Sequence, residues 1–246
     1  MILTDLYHYA VTLNNLGARL LGQRKVVPAL QTMQSALDTM VACTHENDDE
    51  NDKRVHKELI SRACCHIHQA RYDVASHSRI AVETTMGLVG LEDVDIEEFL
   101  SMTKAQCDGM CRVAFVLSAG LFPEIRNEEL ESCAILYNLA TSRLVACQSN
   151  EDGMMSDLNA VKLFIMSFDL LVDNFYASPN VWDVSVDSVF ALTVAVLRNL
   201  VYILNQSGLF SAADVYQLKL DELLHQLSRL TTLFTAAAPL LAAAAA

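Results

Sequence analysis

The sequence predicts an all-α fold: antiparallel helix hairpins stacked as a short, irregular solenoid. Three observations predict it. Apolar residues recur at helical spacing through most of the 246 residues. Glycine and proline, at 8 and 4, are too few to punctuate anything but long helices. One short pattern also recurs three times, each time on a segment with helical spacing. A single helix pair cannot bury its own apolar stripe, so neighbouring pairs must stack into a continuous core.

Taken in order, the first helix is expected over 3–22, where Leu13, Leu16 and Leu20 form a stripe. The second, over 26–43, carries Ala29, Met33 and Ala36 at helical spacing. Residues 45–52 are an acidic run and read as a loop. A third helix is expected over 54–70. The region 72–120 fits helices least well: a helix is expected over 96–110, and the short runs 79–83 and 112–117 are candidates for a small β ribbon. Further helices are expected over 127–148, 155–175, 184–206 and 210–234, with a polar turn at 149–153. The helix over 184–206 is the most apolar. It must be buried on most sides, and Arg198 and Asn199 interrupt it too early for a membrane span. Four parts result: a first helix pair (1–45), an acidic loop with an inserted segment (46–125), two further pairs (126–235) and an alanine-rich tail (236–246).

Composition narrows the class of work. The 30 Asp plus Glu exceed the 17 Lys plus Arg, giving a formal net charge of −13. Yet 52% of the chain is hydrophobic and its mean hydropathy is +0.27. Acidic chains that stay disordered are poor in apolar residues, so disorder over the whole length is excluded. The acidity argues against nucleic acid and anionic membrane surfaces as main partners, because phosphate contacts need Lys and Arg. Seven cysteines, at 43, 64, 65, 107, 111, 133 and 147, match no disulfide framework. They read as free thiols in a reducing, intracellular compartment, cytoplasmic or organellar. The first residues show no basic stretch followed by an apolar core, so no signal peptide is expected.

Candidate chemistry is sparse. Cys64-Cys65-His66-Ile67-His68 holds zinc-type ligands, but on one helix only residues 64 and 68 share a face, with Cys107 and Cys111 as a distant second pair. Buried cysteines with histidines at the edge of a packing surface are the better reading, and no metal or other cofactor is expected. Asp48, Glu50 and Asp52 alternate as calcium ligands do, but residue 59 is Leu where a bidentate Glu should close the loop. The sequence has no Gly-rich phosphate cradle, no Gly-x-Ser-x-Gly elbow and no His-Glu-x-x-His. An enzyme is not expected.

The recurrent pattern is Asn15-Leu16-Gly17, Asn138-Leu139-Ala140 and Asn199-Leu200-Val201. Each has a leucine three residues before its central one, at 13, 136 and 197. Gly17 to Ala29 spans twelve residues, and so does Val201 to Ala213. With Leu16-Gly17, Leu20, Ala29, Met33 and Ala36, the first unit resembles the tetratricopeptide-repeat superfamily, in which each unit is two antiparallel helices. The second unit departs at Arg143, which stands where Leu20 and Leu204 stand in the others, and has a longer turn before Ala160 and Phe164. The third has Val201 for a small residue and Gln217 where an apolar one belongs.

The resemblance implies that the first helices line a concave face. It also implies that Asn15, Asn138 and Asn199 hold the backbone of an extended peptide through donor and acceptor together. Arg19, Arg143 and Arg198 lie close by in sequence and are candidates to meet a carboxylate. The competing reading is that these asparagines cap or bridge helices within the stack, since buried polar groups need partners in any case. The expected function is a non-enzymatic adaptor or scaffold that binds a protein, peptide or partner helix in a groove, the partner being basic. The alternative is a peripheral structural subunit held permanently in a larger membrane-associated or organellar complex.

Overall fold

The computed structural model describes residues 2–44, 50–75, 86–92, 94–104, 109–118, 127–149, 158–176 and 185–244. Among the described residues the chain is mostly helical. Its elements are α1 (Ile2–Gly22), α2 (Val26–Thr44), α3 (Glu50–Ala75), β1 (Gly87–Gly90), α4 (Ile96–Lys104), β2 (Val113–Val116), α5 (Glu128–Ser149), α6 (Leu158–Leu171), α7 (Val186–Gln206) and α8 (Phe210–Ala244). A π-helical turn, Val172–Tyr176, extends α6.

The expected helices are present, with differences that have local causes. The helix α3 begins at Glu50, so the last residues of the acidic run are helical and not loop. The rest of that run, 45–49, lies outside the described residues. Helix α4 begins at Ile96 as expected: Asp95 Oδ1 accepts from the amides of Glu97 (2.9 Å) and Glu98 (3.1 Å), capping it. Its described residues run to Lys104; 105–108 lie outside the described residues, and Gly109, at φ +79°, and Met110 are not helical and lead into β2.

Strand β2 falls within the expected run 112–117, but its partner is β1, paired in parallel with Gly87 opposite Val113 and Gly90 opposite Val116. The run 79–83 lies outside the described residues, as do Cys107 and most of the polar turn at 149–153.

Two helix ends share one geometry. After α1, the Lys25 amide donates to Leu20 O (2.9 Å) and the Arg24 amide to Leu21 O (2.9 Å), with Arg24 at φ +60°. After α7, Leu209 donates to Leu204 O (2.9 Å) and Gly208 to Asn205 O (3.1 Å), with Gly208 at φ +72°. Both are Schellman caps, in which a left-handed residue turns the chain and satisfies the last carbonyls. The equal spacing to Ala29 and Ala213 follows from this shared turn.

Packing follows the chain. Helix α1 lies against α2 and α3, α2 against α5, α5 against α6, α6 against α7, and α7 against α8. One apolar core runs through all of them. Gly17 shows why a small residue is needed where α1 meets α2: a Cβ there would stand 2.5 Å from Met33 Cγ and 3.5 Å from the Ala29 carbonyl oxygen. Ala29, Met33 and Ala36 are fully buried, as are Ala160 and Phe164 on α6. Helix α7 is long and apolar enough to cross a membrane, and two thirds of its most apolar stretch is buried in the fold.

Candidate functional site: an asparagine ladder around an extended segment

Residues 109–118 run extended across α7, α5 and α1, and the recurring asparagines hold them. Asn199 Oδ1 accepts the Cys111 amide (2.8 Å) and its Nδ2 donates to the Cys111 carbonyl (3.2 Å). Asn138 does the same for Phe115, at 2.9 and 2.7 Å. Asn15 does it for Leu117, at 2.8 and 2.6 Å. Each carboxamide therefore bonds both main-chain groups of one residue, as a neighbouring strand would.

The spacing has a geometric reason. In a strand, main-chain groups facing one edge come from every second residue. Helices pack about 8–10 Å apart and a strand rises about 3.3 Å per residue, so two helix steps need roughly six residues. Parity forbids two steps of three. The steps taken are four (111 to 115) and two (115 to 117), which leaves Val113 between two helices. Tyr137 fills that gap, its hydroxyl reaching the Val113 carbonyl at 3.1 Å and the Cys111 carbonyl at 3.3 Å. The other edge of the segment, residues 112, 114 and 116, faces β1, where Gly87 N donates to Arg112 O and Leu91 N to Val116 O, both at 2.9 Å.

The ladder is buried and cross-linked. Asn14, Asn138 and Asn199 are fully inaccessible, whereas Asn15 is half-buried. Asn138 Nδ2 also donates to Asn14 Oδ1 (2.9 Å), and Asn14 Nδ2 reaches the Phe115 carbonyl at 3.1 Å. Around Phe115 runs an aromatic string. Its ring stacks on Phe99 of α4 at 6.0 Å and meets Tyr137 edge-on at 5.4 Å, and Tyr137 lies 5.8 Å from Phe164 of α6. Burial pushes the Cys111 thiol up to about 11, opposed by its hydrogen bond with Tyr137 and by the charge of Arg198. Burial also raises Tyr137, and pushes Cys133 beneath α6 up to about 12.

The three arginines do not join the ladder. Arg19 is exposed on the last turn of α1. Arg198 Nη1 donates to the Thr103 carbonyl at 2.8 Å, placing a cation at the C-terminal end of α4. Arg143 lies on a groove of about 540 Å³ between α2, α3 and α5, with Gln31, Asp38, Arg62 and His66 on its walls.

Two ladder residues escape the sequence pattern, Asn14 and Tyr137. Asn14 is visible in hindsight as a polar residue set among Tyr7, Ala10, Val11, Ala18 and Leu21, all buried on α1. On α3, His66 Nδ1 is bonded to Ser35 Oγ and Cys65 is exposed. Among the described residues, no group of three or more His, Cys, Asp or Glu comes together as a metal site would require. Comparison with family models, with curated proteins and with solved structures finds no match to this chain.

Proposed function

We propose that this chain is a non-enzymatic protein-interaction module of the tetratricopeptide-repeat kind. In this reading α1–α2, α5–α6 and α7–α8 are three stacked antiparallel hairpins, and the chain serves as an adaptor or scaffold. The observation that carries the reading is the asparagine ladder. Three carboxamides on α1, α5 and α7 hold an extended segment of this chain through donor and acceptor together, the way a helical groove would hold a peptide main chain without reading its side chains. The net charge of −13 favours a basic partner, whose association would be steered by charge and slowed by salt.

Affinity purification of the tagged chain from the cells that make it, followed by mass spectrometry, tests this. A protein partner recovered in near-equal amount, and lost progressively with added salt, is the expected result. Recovery of chaperones alone would sink the proposal.

A second reading, a subunit held permanently in a larger complex, draws on the outer side of the last hairpin. Leu209, Phe210, Val215 and Leu218 are 49%, 64%, 54% and 70% exposed there, and obligate interfaces are large and apolar. Light scattering on a size-exclusion column separates the two: a well-behaved monomer removes the obligate subunit.

A further inference from the structure

We propose that residues 110–117 are an internal ligand of the asparagine groove, and that the protein partner inserts an extended segment of its own in their place. The inference rests on the interaction-module reading and adds to it the site and the chemistry of the partner.

Two features support exchange. First, the bonds from Asn14, Asn15, Asn138 and Asn199 to the segment all go to main-chain N–H and C=O groups, and Tyr137 adds bonds to the Val113 and Cys111 carbonyls beside its contact with the Cys111 thiol. Any extended chain with an amide at the right positions satisfies the main-chain bonds equally. Second, the groove cannot stand empty. Three of its carboxamides are fully buried, and a buried amide left without a partner carries the full cost of its desolvation. Release of the internal segment is therefore favourable only when another chain takes its bonds.

The walls define the replacement. Val113, Ala114, Phe115 and Leu117 are all buried in the apolar core, and Phe115 lies between Phe99 and Tyr137. The incoming segment is apolar through the positions of Val113 to Leu117, small at that of Ala114, aromatic at that of Phe115, and without proline at those of Cys111, Phe115 and Leu117, where the ladder needs an N–H.

The probe is a fluorescent peptide with the sequence of residues 109–118, Gly-Met-Cys-Arg-Val-Ala-Phe-Val-Leu-Ser, measured by anisotropy against the full chain. Phe115→Pro removes the amide that Asn138 accepts, so the internal segment loses its hold and the groove is available for a larger fraction of the time. Apparent affinity scales with that fraction, and the variant is expected to bind the peptide about tenfold or more tightly than the parent chain. Adding Asn138→Ala to the variant, or proline at the Phe115 position of the peptide, is expected to abolish binding. A folded Phe115→Pro chain that does not bind the peptide overturns the proposal.

If that variant does not fold, hydrogen exchange on the parent chain decides. The Cys111, Phe115 and Leu117 amides should exchange through a local opening about tenfold or more faster than the core amides of α5 and α7. Equal protection makes the segment a fixed part of the core and overturns the proposal. A chain that fails these tests yet still captures its partner refutes the internal ligand alone, whereas loss of capture refutes the parent reading.

Discussion

Asn138 holds both main-chain groups of Phe115, donating to its carbonyl at 2.7 Å and accepting from its amide at 2.9 Å. A helix side chain thus stands where a second strand would stand. Asn138→Ala leaves a buried N–H without its acceptor and is expected to lower stability by about 2–4 kcal/mol, more than an ordinary surface change. Asn138→Asp keeps the acceptor but turns an anionic oxygen toward the Phe115 carbonyl, and should lower it at least as much. Chemical denaturation of both variants checks this, and a loss below about 0.5 kcal/mol for Asn138→Ala would contradict the ladder.

Arg24 and Gly208 test the shared turn. A non-glycine residue in the left-handed region costs roughly 1–2 kcal/mol. Arg24→Gly is expected to stabilise the chain by about 1 kcal/mol, and Gly208→Ala to destabilise it by a similar amount. Melting temperatures that move in opposite directions are the result to look for.

Gly17 tests the approach of α1 to α2. The contact at 2.5 Å to Met33 Cγ means that Gly17→Val must push the helices apart or force Met33 from its rotamer. A loss of about 1–3 kcal/mol is expected from overpacking, and combining it with Met33→Ala should recover part of that loss. Failure of the pair to recover anything would place the strain elsewhere.

The buried thiols give a pH dependence of known sign. Folding raises Cys111 to about 11 and Cys133 to about 12 from 9.0. Their stabilisation is complete below pH 9. As pH rises past 9 the unfolded thiols ionise first, and stability falls on the order of 1.4 kcal/mol per unit per thiol until the folded thiols titrate. Alkaline denaturation of Cys111→Ala with Cys133→Ala should show a shallower fall between pH 9 and 11. Alkylation of the native chain should modify exposed Cys65 and leave Cys111 and Cys133 untouched.

Much of this was legible in the residues. Helical stripes located the helices, and recurrence picked out Asn15, Asn138 and Asn199, because a polar residue repeated beside buried leucines needs a repeated reason. The acidic run 45–52 misled in part, since Glu50 already belongs to α3, whereas the start expected at 96 is where α4 begins. The strand Gly87–Gly90 was hidden because Leu-Val between two glycines is too short an apolar run to mark a strand. What fills the groove was also hidden: the bonds from Asn15 to Leu117 and from Asn199 to Cys111 span 102 and 88 residues, and no local pattern encodes a pairing at that range.

The position of the strand between its own holders has a consequence for synthesis. When Cys111 leaves the ribosome, Asn14 and Asn15 already exist, whereas Asn199 follows 88 residues later. At about 5–20 residues per second, that wait is roughly 4–18 s, during which the Cys111 amide lacks the acceptor that Asn199 provides. The Cys111 rung is therefore the last of the three that can close, because its carboxamide is the last to be made.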